Sequence, residues 1–187
     1  ITPLDFGIEI TGGSTANSTI KQVGGFTNFT GVGSAYAGTV SVTGGGLNVE
    51  SGKTLAGTYS VTDGVLSGGG SVGTSGQTVT IGAGGTLAAG EGGSGTVGTL
   101  TILGDLALST ATSASHFDLG AVNVVGGSNN DLVIVNGGLT LGGALTANLA
   151  NSTLGVYTLY SVTGSITGTN FDSVNLTGAS VAGYRVA

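Results

Sequence analysis

The sequence predicts an all-β fold: a right-handed parallel β-helix, a single-stranded β-solenoid of roughly 20 residues per rung. Three observations point to it. Gly occurs 40 times and Pro once, and charged residues are 6% of the chain, against a usual value of about 25%. Short segments alternate polar and apolar residues, as half-buried strands do. Those segments recur at a nearly constant interval, and no helical periodicity persists anywhere. Low charge and 39% apolar residues argue against disorder, which needs the opposite balance. Glycines without a three-residue period exclude collagen.

The repeat is read from "TVSV", "TYSV", "TVTI" and "TLTI", which start at 39, 58, 78 and 99 and are therefore spaced by 19, 20 and 21 residues. Their apolar positions predict two stacked columns. Val40, Tyr59, Val79 and Leu100 form one; Val42, Val61, Ile81 and Ile102 form the other. A second strand follows each segment after a bend, with core candidates Leu47 and Val49, then Leu66, then Leu87, then Leu106 and Leu108. Gly44 to Gly46, Asp63-Gly64, Gly84-Gly85 and Gly104-Asp105 supply the bends, being residues that tolerate turn conformations. Like strands of successive rungs then stack in parallel, and parallel crossovers are right-handed. Roughly nine rungs and about 40 Å of rod are expected at this period.

After residue 108 the pattern loosens. "STATSASHFDLGAVNVVGGSNN" (109–130) is more polar and less regular, after which "IVNGGLTL" (134–141) matches "TILGDLAL" (101–108) at an offset of 33, one rung plus an excursion of roughly a dozen residues. That match sets Val135 on Ile102, Leu139 on Leu106 and Leu141 on Leu108, with Val133 also in the core. The chain divides into 1–98, regular rungs, and 99–187, less regular rungs stacked on the first part without a linker.

Composition limits the chemistry. Three cations, Lys21, Lys53 and Arg185, stand against nine acids, for a net charge of −6. Nucleic acid and anionic lipid both call for clustered cations, so neither is an expected partner. Without Cys there is no disulfide and no thiolate metal site. No apolar run is long enough for a membrane-spanning helix. The start, "ITPLDFGIEI", lacks the pattern of a signal peptide, and both ends read as cuts in a longer chain.

Each candidate site has a structural counterpart. Residues 126–131, G-G-S-N-N-D, resemble a calcium turn of the repeats-in-toxin type. Asp131 is the one candidate metal ligand, but Ca²⁺ takes six to eight oxygens and no neighbouring turn offers a second carboxylate in register. The expectation is that Asn130 and Asp131 bond backbone in a turn. The sole histidine, His116, has Asp118 nearby but no nucleophile elbow, and reads as an exposed residue of the excursion. A β-helix carbohydrate-active enzyme would need clustered carboxylates. Asp63 and Asp105 are read as sharing an edge two rungs apart, about 10 Å from each other, too far for a retaining pair. No catalytic residue, metal or cofactor is expected. Phe26, Phe29, Tyr157, Tyr160 and Phe171 offer either a sugar-binding or adhesive face or core stacking and end capping; the second reading is preferred, with Tyr157, Tyr160 and Phe171 as aromatics capping the C-terminal rungs, where solenoid edges need cover. The sequons at 17–19, 28–30, 151–153 and 175–177 are read as chance matches.

"GSAYAGTVSVTGGGLNV" (33–49) resembles the autotransporter-associated β-strand repeat. "GGTLAAGEGGSGTVGTLTILGDLALS" (84–109), "NNDLVIVNGGLTLGGALTANL" (129–149) and "GVYTLYSVTGSITGTNF" (155–171) resemble the pertactin-like, or autochaperone, end of autotransporter passengers. The resemblance implies type V secretion in a Gram-negative bacterium, with a C-terminal outer-membrane β-barrel as the chain's own partner. It implies a non-enzymatic stalk and folding template on the cell surface, belonging to an adhesin or autoaggregation factor. Host cell surface, extracellular matrix or self-association are then the candidate contacts.

Overall fold

The computed structural model describes residues 4–6, 18–93, 95–109, 111–150, 154–168 and 170–178, with side chains from residue 18 onward. Both chain ends, Glu9, Arg185, Asn17 of the first sequon and the sequon at 151–153 lie outside the described residues. Among the described residues there are strands and turns and no helix.

The strands are β1 (Leu4–Phe6), β2 (Thr19–Phe29), β3 (Thr39–Val49), β4 (Thr54–Leu55), β5 (Thr58–Val61), β6 (Val65–Gly68), β7 (Ser71–Val72), β8 (Thr78–Ile81) and β9 (Thr86–Ala89). They continue with β10 (Thr99–Ile102), β11 (Asp105–Leu108), β12 (Ala114–Leu119), β13 (Leu132–Val135), β14 (Leu139–Thr140), β15 (Ala144–Leu149), β16 (Tyr160–Val162), β17 (Ile166–Thr167) and β18 (Ser173–Gly178). Every strand pairing in this set is parallel.

The chain visits three faces in strict rotation, the path of a parallel β-helix. The first face stacks the start of β3, then β5, β8, β11, β14 and β17. The second stacks the end of β3, then β6, β9, β12, β15 and β18. The third stacks β4, β7, β10, β13 and β16. The long β2 and β3 run across the first two faces and join them in one 13-stranded sheet, while the third face is a 5-stranded sheet.

Side-chain alternation turns one row of each face inward. The first face contributes Val40, Tyr59, Val79, Leu106 and Leu139, with Val42, Val61, Ile81 and Leu108 beside them. The third contributes Leu55, Val72, Ile102 and Val135, with Leu100 and Val133 beside them. Leu47, Leu66, Leu87 and Leu145 enter from the second. All belong to one continuous core, against which Leu141 packs while partly exposed. A single coil buries little; the column excludes water only because each side chain lies on its neighbours above and below.

Three readings of the sequence change here. Leu100 and Ile102 belong to the third face, not to the first two columns. Leu106 and Leu108 stand on Val79 and Ile81 instead. The offset of 33 is correct in register, with Ile102 against Val135 and Leu106 against Leu139. Coil length is also uneven. Among the described residues the stacked positions Ile20, Val40, Tyr59, Val79, Leu106, Leu139 and Ile166 define seven levels of the first face, spaced by 20, 19, 20, 27, 33 and 27 residues, and β1 adds a level beneath β2 on the second face. Finally, the excursion is the loop at 120–131, and His116 does not lie on it. Ala114–Leu119 is strand β12, stacked between β9 and β15.

The extra residues of the long coils collect mainly at one place, the corner between the second and third faces. Only residues 69 and 70 lie between β6 and β7, but the following coils have longer crossings there, described at 90–93 and 95–98, at 120–131, and at 150 and 154–159. Stacking is uninterrupted across residue 98: β7 pairs β10, β8 pairs β11 and β9 pairs β12.

Candidate functional site: the loop ridge at the second corner

The three long corner crossings follow one another up the helix and form a ridge. Loops carried on a rigid scaffold are the usual place for contact residues, so the ridge is the candidate contact surface.

Asn130 builds the middle loop. It is fully buried, and its Oδ1 accepts the N–H groups of Gly120 (2.8 Å) and Ala121 (2.9 Å). Its Nδ2 donates to the carbonyls of Ala121 (2.7 Å) and Val124 (2.6 Å). One amide thus closes the loop with four bonds, since Asn carries both donors and acceptors. Gly126 turns the loop back at φ +57°, with Leu132 packed where a Cβ would point.

Asp131 and Asp118 tie the ridge to the body. Asp131 is buried and accepts the Gly98 N–H at Oδ1 and the Asp118 N–H at Oδ2, each at 2.7 Å. Its own N–H donates to the Asp118 carbonyl (2.9 Å). Burial pushes the Asp131 carboxyl up to about 7, against the pull of its two N–H donors and helped by the negative charge of Asp118. The Asp118 side chain accepts the Gly95 N–H (2.5 Å) and the Asn148 amide (2.9 Å). Loop 90–98 is therefore held by carboxylates of the next coil, and Asp118 is held in turn by the coil after that.

His116 lies on β12 rather than on an excursion. It is only partly exposed, and its Nε2 is 3.7 Å from Asp118 Oδ2. That nitrogen is buried without a hydrogen-bond partner. With the Asp118 oxygens occupied and no hydroxyl among the described residues bonded to Nε2, the pair lacks the linkage of a nucleophilic triad there.

Three further carboxylates bond backbone as well. Asp105 Oδ1 accepts the Gly138 N–H of the next coil (2.7 Å), Asp172 Oδ2 accepts the Gly143 N–H of the preceding one (2.6 Å), and Glu91 Oε1 accepts the Ser51 N–H (3.0 Å). Asp63 and Asp105 do not share an edge. Asp63 follows β5 at the corner into the second face, whereas Asp105 opens β11 after the corner out of the third. The two-column reading placed them together because it lacked the third face. Among the described residues no three His, Asp or Glu side chains converge as a metal-ligand set. Both Asp131 oxygens already accept N–H donors, so the calcium-like turn presents no free carboxylate.

The apolar features lie next to the ridge. Val125 on the middle loop and Leu154 and Val156 on the next are exposed by 60–69%. The two loops are joined where Asn123 N–H donates to the Val156 carbonyl (2.9 Å) and Val156 N–H to Asn123 Oδ1 (3.2 Å). Beyond them a cavity of about 410 Å³ opens toward the C-terminal end of the stack, lined among others by Leu145, Tyr157, Tyr160, Phe171 and Leu176. Tyr160 stands edge-on to Phe117 (5.2 Å between ring centres) and 6.3 Å from Phe171, and its hydroxyl donates to Ser115 Oγ (2.7 Å). Burial raises the Tyr160 phenol well above its ordinary range. At the other end Phe29 is buried in the core and Phe26 packs, half-buried, over Gly46.

Asn130 and Asp131 are legible in the sequence as a turn before a strand. The role of Asp118, the Asn48 bonds to Asn28 (2.6 Å) and Gly92 (3.0 Å) and the clustering of the long loops at one corner are not, because each depends on which coil lies above.

No protein-family model matches the chain, and no solved structure matches it. Among curated proteins it is similar to the adhesin BmaC autotransporter of Brucella suis biovar 1 (strain 1330), with 46% identity over 91 residues. The match covers 47% of this chain and 2% of that protein. About half of the chain is thus related in sequence to a short piece of an autotransporter adhesin.

Proposed function

We propose that this chain is a surface-exposed passenger fragment of an autotransporter adhesin, exported through the outer membrane by a C-terminal β-barrel of the same polypeptide. In this reading it is a non-enzymatic β-helical stalk whose C-terminal coils template the folding of the rest. The similarity to an autotransporter adhesin carries the reading. Two features of the structure support it. The carboxylates of Glu91, Asp105, Asp118, Asp131 and Asp172 all accept backbone N–H groups, a use that ties the coils of a rod together. The stack also presents apolar surface at its C-terminal end, where a folding coil gains most from an existing template.

Adhesive contact is assigned to the ridge, where exposed aliphatics stand out from a scaffold with few charges. The test is protease shaving of intact cells that carry the full polypeptide, together with attachment to host cells and extracellular matrix. The reading expects this segment outside the outer membrane, and expects Val125→Asp with Val156→Asp to weaken attachment while surface display is kept. A segment that stays inside intact cells would contradict it.

A further inference from the structure

The corner at 136–138 carries a motif that the adhesive reading does not use. Asn136-Gly137 is the one Asn-Gly pair of the sequence, and it turns the chain from β13 toward β14. Bonds to other coils pin it. Asn136 N–H donates to the Ile102 carbonyl (2.9 Å), Gly164 N–H to the Gly137 carbonyl (2.9 Å) and Gly138 N–H to Asp105 Oδ1 (2.7 Å). Two groups are left over. Among the described residues, neither the Asn136 side-chain amide nor the Gly137 N–H has a hydrogen-bond partner. Asn136 is exposed, so water reaches that amide. Other asparagines lack one of these conditions. Asn28, Asn48, Asn123, Asn130 and Asn148 use their side chains in hydrogen bonds. Asn129 and Asn175 are exposed, but Asn130 and Leu176 follow them, and a side chain on the following residue crowds the approach of its nitrogen. Gly137 has no side chain to do so.

We propose that Asn136 is a self-modification site, where the chain converts its own amide into a carboxylate with water as the co-reactant. The Gly137 nitrogen attacks Asn136 Cγ, an intramolecular step between adjacent groups. The new N–Cγ bond closes a succinimide ring. The Cγ–Nδ2 bond breaks, and Nδ2 leaves as ammonia with the proton that the Gly137 nitrogen gives up. Water then opens the ring at either carbonyl. Attack at Cγ restores the ordinary backbone and leaves aspartate at 136. Attack at the backbone carbonyl carbon leaves isoaspartate, with the chain running through Cβ and Cγ. The balance is one water taken up and one ammonia released, with no oxidation or reduction.

The stack makes the product matter. Either product adds a negative charge at a corner that already holds Asp105, whose Oδ1 fills the space where a Gly137 Cβ would point. Like charges there repel and weaken the tie from Asp105 to Gly138. Isoaspartate also adds a backbone atom to a corner fixed on both sides, with Val135 on Ile102 and Leu139 on Leu106. The extra length is taken up on the weaker side. β13 is a strand of four residues and β14 one of two, so β14 loosens. The site does not depend on the adhesive reading, and it can fail or succeed without it.

The test is peptide mass mapping of the full chain kept folded in mildly alkaline buffer at body temperature, beside a sample unfolded in urea. In the folded chain Asn136 should be lost to a mixture of aspartate and isoaspartate while Asn129 and Asn175 persist. Asn136→Gln, whose longer side chain closes the ring far more slowly, should lose the acidic shift that the natural chain acquires in isoelectric focusing. Amide protection of Leu139 and Leu141 should fall in step with isoaspartate, while Val79 and Ile81 keep theirs. An Asn136 that survives in the folded chain over the interval in which the unfolded chain converts it would overturn the proposal. Loss of Asn129, Asn136 and Asn175 at one common rate would overturn it too.

Discussion

Asn130 shows how much of the ridge depends on one uncharged side chain. Its four bonds satisfy backbone groups that have no sheet partner inside the loop. Asn130→Ala leaves buried donors and acceptors unpaired, at about 1–3 kcal/mol each where water does not replace the partner. A loss of about 3 kcal/mol in urea unfolding is expected, whereas Asn129→Ala, at an exposed neighbour, should change little. Tyr160→Phe removes only the bond to Ser115 Oγ and should cost about 1 kcal/mol. The sequence shows an Asn-Asp pair ahead of a strand and so gives the turn. It does not show that both residues are sealed from water, because the sealing groups arrive from residues 95–98 and 118–124.

At the scale of the strand, alternation identified β3, β5, β8 and β10 but did not say which face each occupies. "TVTI" and "TLTI" read alike, yet β8 lies on the first face and β10 on the third. The first copies of the third face, β4 and β7, are two residues long, too short for alternation to register. The loop at 90–98 then delays the next first-face strand from an expected position near 99 to 105. The corner from the first face to the second is strict by contrast. Gly45 sits there at φ +67°, and a Cβ would strike the Gly25 carbonyl of the coil before it. Gly45→Ala should lower stability by about 2 kcal/mol or more, combining left-handed strain with the collision. Gly52→Ala, at φ +74° with open space around it, should show the strain alone, and the difference between their urea midpoints measures the collision.

For the whole molecule, stability lies in columns rather than in any one coil. Leu106→Ala sits in mid-stack between Val79 and Leu139 and should cost about 2–5 kcal/mol, lowering the unfolding midpoint seen by both ends. The division at residue 98 is put forward as a difference in stability within one continuous stack. Limited proteolysis is expected to leave the part from residue 99 intact longest, and survival of the first part alone would count against that division. The all-β class, parallel stacking and the offset of 33 were readable because apolar positions repeat wherever coils stack. The three-sided cross-section was hidden by its two-residue strands.

The coil register is the central claim, and the lack of cysteine makes it directly measurable. Thr80 and Ala107 are neighbours on the outside of the first face, whereas a two-column arrangement would set Thr101 beside Thr80. The measurement is the yield of cross-linking by a short bifunctional thiol reagent in Thr80→Cys/Ala107→Cys and in Thr80→Cys/Thr101→Cys. The structure predicts efficient linkage in the first pair and none in the second. Linkage of the second pair without the first would contradict it.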